Sequence, residues 1–257
     1  MQQTTSRDSL GRTGPGASAN FLLIVLLVSG LGFAIGVGWI AGSGAGFAFV
    51  LSGWILSLCL HEFGHAYAAW RGGDASVEQA GTLTLDPRRY ADPVTTLVLP
   101  VLFTILGGIG FPGGAVRIDL SALRGRLWPS AVALAGPAMT GAALLGFVLL
   151  YHLASPDSDT LRAVLAVSAL FQGMALVLNL VPIPGLDGYA AARPWLPAAW
   201  QAVGDAGARH AGLVLTVLFL FSGAFSRLLF RTSLRLTTLM GVDPADVVAG
   251  YRLIRLW

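Results

Sequence analysis

Lysine is absent from this chain. All 16 basic residues are arginine, and the 13 acidic residues include only two glutamates, Glu62 and Glu78. Charged residues fill 11% of the 257 positions, against about 25% in a soluble domain. So few charges cannot cover a water-facing surface. That excludes an ordinary cytosolic enzyme, a disordered chain and, despite a pI near 9.5, a nucleic-acid binder. The single cysteine, Cys59, excludes an intramolecular disulfide framework and a cysteine-rich metal site. What abounds is apolar: 55% of residues, for a mean hydropathy of +0.72. In such a chain each ionisable group inside an apolar stretch needs a reason.

The uncharged runs set the architecture. No charge occurs between residues 13 and 60, about twice the ~20 residues that a membrane-spanning helix needs. The AGSGAG stretch at 41–46 is a natural turn, dividing the run into spans at 21–41 and 47–70. The first of these is too long for a signal-peptide core and no A-x-A site follows, so a retained span is expected. Further uncharged runs lie at 94–116, 127–156, 163–186 and 211–226, the last short enough to be a thin or tilted span. The expected fold is an all-α polytopic membrane protein with five to six transmembrane helices, a re-entrant segment and a small β-hairpin near the active site. Residues 1–20 read as a polar, disordered tail, 21–230 as the transmembrane domain and 231–257 as an amphipathic tail. Arg227, Arg231 and Arg235, spaced by four with leucines between, read as a solvated helix face at lipid headgroups, with partner binding as the alternative.

Residues 61–65 read HEFGH. On a helix His61 and His65 are four apart and face one side. This is the zinc-binding arrangement HExxH, with Glu62 placed as the acid/base for a water molecule. By chance alone such a pentapeptide would occur in roughly 1 in 2,000 chains of this composition. Two packed histidines and a paired glutamate are the plain alternative. Ionisable groups near a bilayer centre cost about 2.5–3.5 kcal/mol each on insertion scales, which disfavours that alternative. Cys59 faces the other way and reads as packing.

A catalytic zinc needs a third protein ligand. His152 reads as an interfacial residue and His210 as a loop residue. Asp187 is the better candidate: it directly follows an uncharged run, within NLVPIPGLDG at 179–188. Two prolines and two glycines there break the helix. Broken backbone at membrane depth is tolerated only inside protein or along a cavity, although a simple helix-ending turn uses the same residues.

HEFGH followed about 120 residues later by NLVPIPGLDG, with Gly136-Pro137 in ALAGPAMTGA between them, resembles the site-2 protease family of intramembrane zinc metalloproteases. The stretches GTLTLDP at 81–87 and Asp92-Pro93 are similar to its compact bacterial branch without PDZ or CBS domains. The resemblance covers residues 47–230. It implies Zn²⁺ held by His61, His65 and Asp187, and Glu62 as catalytic acid/base. It implies substrate contacts at Asn179, Pro182, Pro184, Gly136 and Pro137. It also implies a multi-pass protein of the bacterial inner membrane that cleaves a transmembrane substrate, such as a membrane-bound anti-sigma factor. Thr140 stands where the family often has asparagine, and residues 111–115 replace a more polar segment.

The ligands must meet at one depth, which sets a topological condition. If 94–116 were a full crossing, the HExxH and Asp187 ends would lie on opposite sides. That run carries two prolines and five glycines, so it is expected to make no net crossing. The arginine distribution then puts the N-terminus and active site on the cytoplasmic side, leaving the C-terminus open. Short alternating segments at 81–85 and 115–119 read either as a strand edge for an extended substrate or as a plain hairpin over the site. Rival functions are a non-proteolytic zinc-binding module and a metal transporter. The lipid bilayer is the other expected partner.

Overall fold

The computed structural model describes residues 14–90 and 116–254. Four helices are long and apolar enough to cross a membrane: α1 (Ala19–Gly36), α2 (Ser43–Gly72), α3 (Leu127–Leu153) and α4 (Asp159–Asn179). The chain continues through α5 (Asp187–Ala192), α6 (Ala198–Ala208), α7 (Ala211–Phe221), α8 (Gly223–Leu239) and α9 (Pro244–Leu253). Helix α7 has 11 residues, about 16 Å of rise and too short for a bilayer core of about 30 Å. With α6 it forms a pair bent by 67° that counts as a fifth span if taken together. The expected five to six spans are thus four to five among the described residues.

Helix α4 is the centre. Val164, Val167 and Leu170 are fully buried, and α2, α3, α8 and α9 all pack on it. By contrast α1 is apolar on every side and exposes Leu22, Leu23, Leu26 and Leu27, as a helix facing lipid does. Helices α2 and α3 touch almost backbone to backbone. A Cβ on Gly64 would sit 2.6 Å from the Ala135 carbonyl oxygen, so only glycine permits the approach. On α8, Arg227, Arg231 and Arg235 are exposed while Leu229, Ser233 and Thr237 are buried, the amphipathic face expected of this region.

Hydrogen bonds sort the helix ends into two levels. At one level Asn20 donates to Asp86 (3.1 Å), Arg124 N–H to Gly72 O (2.9 Å) and Ser130 Oγ to Ala191 O (2.6 Å). At the other, Ser158 Oγ donates to Gly36 O (3.3 Å), and His152 Nε2 lies 2.9 Å from Met240 O. There Tyr151 and Arg162 both bond the Asp246 carboxylate, at 2.6 and 3.1 Å, tying α9 to α3 and α4. The end of α2 and the start of α3 therefore share a level. The 94–116 run, expected to make no net crossing, lies outside the described residues save Val116. Met240 and α9 lie at the opposite level, so the described chain finishes away from the end of α2.

One expectation is corrected. The β-hairpin is absent: no strand occurs among the described residues. Thr82–Thr84 is a 3₁₀ turn bracketed by Gly81 and Leu85, both at positive φ, and pinned by Thr82 Oγ1 donating to Val77 O at 2.8 Å. Thr82 and Leu83 are both buried, so the alternation that suggested a strand is not used. Within the tail expected to be disordered, residues 14–20 are described. Gly16 and Ser18 N–H donate to Leu83 and Thr84 O, and Ser18 Oγ caps α1.

Candidate metal centre

Helix α2 carries His61, Glu62 and His65 into the bundle, where all three are buried. The unwound stretch after α4 folds back and brings Asp187, the first residue of α5, against them. Gly188 makes this possible, since a Cβ there would lie 2.3 Å from the Leu180 carbonyl oxygen. His61 Nε2 is 3.3 Å from Asp187 Oδ2, and His65 Nε2 is 3.4 Å from Oδ1. One ligand atom from each residue falls within 4.8 Å of the others.

The imidazoles are oriented from behind. His65 Nδ1 lies 2.8 Å from the Val132 carbonyl, which only accepts, so Nδ1 carries the proton and Nε2 offers a lone pair. His61 Nδ1 lies 2.8 Å from Thr140 Oγ1, and with Nε2 turned to a metal its Nδ1–H donates to that hydroxyl. The two Nε2 atoms are 3.0 Å apart. Two lone pairs and a carboxylate facing one another repel unless a cation lies between them. This donor set, two imidazoles and one carboxylate, suits zinc with a position left for water or substrate.

A cleft of about 290 Å³ opens over the site. Glu62 and Asn179 line it together with apolar side chains, among them Val116, Ile118, Val132 and Leu186. Val116 N–H donates to Glu62 Oε2 at 3.2 Å, so one carboxylate oxygen is tethered to the cleft wall. Residues 116–119 form no helix or strand and are held at the far end by Asp119 N–H donating to the buried Asp74 (2.8 Å). At the rim Arg193 makes two bonds to Asp205, at 2.7 and 2.5 Å, and holds that carboxyl below its ordinary range.

The remaining expected site residues fall elsewhere. Gly136 lies beneath His65, where a Cβ would be 2.2 Å from Nε2. Pro137 is buried inside α3. Pro182 is exposed and Pro184 half-buried in the turn before α5, and neither is on the cleft wall. His152 lies at the opposite level, His210 precedes α7 outside the ligand cluster, and Cys59 is buried packing. Thr140, which departs from the family pattern, serves His61. Its role had no local signal in the sequence, because the partners are 79 positions apart.

Two relatives decide the family. A protein of Mycolicibacterium smegmatis, provisionally named zinc metalloprotease Rip2, is 44% identical over 247 residues, covering 91% of this chain and 92% of its own length. Rip2 of Mycobacterium tuberculosis strain H37Rv, under the same provisional name, is 41% identical and covers 100% of the chain and 98% of itself. The chain belongs to the site-2 protease family. A more distant member, provisionally named zinc metalloprotease YwhC, from Bacillus subtilis, is 29% identical over 173 residues, 64% of the chain and 77% of YwhC. No family model and no solved structure matches the chain. Membership agrees with the His61–His65–Asp187 cluster, whose ligand atoms lie close enough together to bind a metal ion.

Proposed function

We propose that the chain is an intramembrane zinc metalloprotease that cleaves peptide bonds within or beside transmembrane segments of membrane-bound substrates. The observation that carries this reading is the convergence of His61, His65, Asp187 and Glu62 in a cleft walled by apolar side chains, in a bundle whose long helices are membrane-length. His61, His65 and Asp187 hold the zinc ion. When bound, zinc supplies Lewis-acid polarisation of a water and of the scissile carbonyl. Glu62 accepts the proton of the attacking water and delivers it to the leaving amine. Asn179, which lines the same cleft, would donate to the substrate carbonyl. The apolar wall of Val116 and Ile118 accommodates an unwound hydrophobic stretch.

Arginine placement supports a cytoplasmic active site. Arg71, Arg88, Arg89, Arg117, Arg124, Arg126, Arg193 and Arg209 lie in segments at the active-site level, against Arg162 and Arg252 at the other and Arg227, Arg231 and Arg235 along α8, which runs to that other level at Met240. A membrane-bound regulator such as an anti-sigma factor is the substrate class we favour.

The test is cleavage of a transmembrane peptide library by the purified protein, comparing wild type with Glu62→Gln. The expected result is cleavage that is abolished by the substitution while zinc stays bound. Cleavage indifferent to the substitution refutes the assignment. Zinc binding without any cleavage selects a non-proteolytic module, and zinc flux into liposomes a transporter.

A further inference from the structure

A second, smaller cavity lies behind His61, on the side away from Asp187. It has about 20 Å³ of room for the centre of a water-sized sphere and is bounded by α2, α3 and α4. A single water needs about 10–15 Å³ on that measure and two to four polar partners. The walls provide them. Trp54 is nine-tenths buried and its Nε1–H meets no acceptor among the described residues. The carboxamides of Gln172, 2% exposed, and Asn179, 5% exposed, border the same space and offer both donors and acceptors.

Thr140 supplies a further reason. Its hydroxyl oxygen accepts from His61 Nδ1, so its own proton must be donated elsewhere. The one backbone acceptor within reach, Gly136 O, is 3.4 Å away, at the limit of a hydrogen bond. An orphaned indole N–H, an under-used hydroxyl proton and a carboxamide therefore converge on a space of one water. Leaving such groups bare in an apolar core is unfavourable, because each has given up its hydrogen bonds to water.

We propose that this cavity is a built site for one internal water. It accepts from Trp54 and Thr140, donates to Gln172, and keeps the Thr140 hydroxyl turned as an acceptor toward His61. It is separate from the hydrolytic water of the cleft, and His61 and Asn179 form the wall between them.

The experiment is X-ray hydroxyl-radical footprinting of the full-length, zinc-loaded protein in lipid nanodiscs, run in normal and ¹⁸O water and read by mass spectrometry. Radicals generated from a bound water oxidise the side chains that touch it. Trp54 and Leu58 are expected to be oxidised several-fold faster in wild type than in Gln172→Leu, with ¹⁸O arriving more slowly than at exposed residues. Should Gln172→Leu lose its zinc or its helicity, Trp54→Phe replaces it, with Leu58 as the reporter. Oxidation of Leu58 equal in wild type and variant means a dry cavity and overturns the proposal. So does ¹⁸O arriving as fast as at the surface, which means open solvent and no bound site. The readout needs no proteolysis, so a failed cleavage assay leaves it standing.

Discussion

Replacing Gly136 by alanine tests whether the metal centre depends on how closely α3 approaches α2. The added Cβ would lie 2.2 Å from His65 Nε2 and 2.5 Å from Cε1, where ordinary contact begins at 3.4 Å. His65 must therefore retreat by about 1.2 Å, the difference of those two distances, or α3 must withdraw. Withdrawal would pull apart the close α2–α3 packing at Gly64 and Ala135, so the imidazole gives way. Zinc–nitrogen bonds are about 2.0–2.1 Å, and a shift of that size breaks one. A misplacement of about 1 Å costs on the order of 100-fold in rate. The overpacking itself costs about 1–3 kcal/mol, which leaves the α4-centred core folded. The assay is zinc content by mass spectrometry after dialysis, together with cleavage rate and helical circular dichroism. Zinc is expected to fall well below one per chain and cleavage to drop at least 100-fold or so, with helicity retained. The control is Gly146→Ala on the same helix, where nothing lies within 4 Å, and it should leave both unchanged. Gly136→Ala protein that keeps its zinc and cleaves within a few-fold of wild type would refute the reasoning.

Thr140→Val removes the acceptor of His61 Nδ1 and should weaken zinc binding about 10–100-fold in a chelator competition, whereas Thr140→Asn, which supplies a carbonyl acceptor, should stay close to wild type. Asp246→Ala removes the shared acceptor of Tyr151 and Arg162. It should lower thermal stability by about 1–3 kcal/mol while zinc affinity is unchanged, because the latch lies at the opposite end of the bundle. Asp74→Ala deprives Asp119 N–H and Ser76 of their acceptor. It should raise KM for a peptide substrate, since residues 116–119 lose their anchor, with little change in zinc content.

Much of the centre was legible because its information is local. HEFGH places two imidazoles on one helix face by the period of the helix alone, and no other part of the chain is needed to see it. Asp187 was legible by elimination, standing alone beside a broken helix in a chain nearly without charge. The 81–85 segment misled because five residues of alternation suit a strand and a turn equally. The buried Val77 carbonyl and two positive-φ residues decided for the turn. Gly136 and Pro137 read as substrate contacts, yet Gly136 is a spacer under His65, a role that depends on where α2 and α3 touch. Gln172 was the overlooked signal: an amide in the middle of an uncharged run, buried beside an indole N–H whose need appears only once the helices are packed.

The sequence by itself determined the solvent, the helical class and the metal-binding chemistry. Those follow from counts of charge, lengths of apolar runs and residues four apart, all properties of a chain before it folds. Only the tertiary structure decided that Asp187 meets the histidines, that the chain leaves α2 and enters α3 at one level, and that Thr140 and Val132 hold the imidazoles from behind. Each of these is a contact between residues tens of positions apart. Their distance is set by the packing of helices, and no local propensity encodes it.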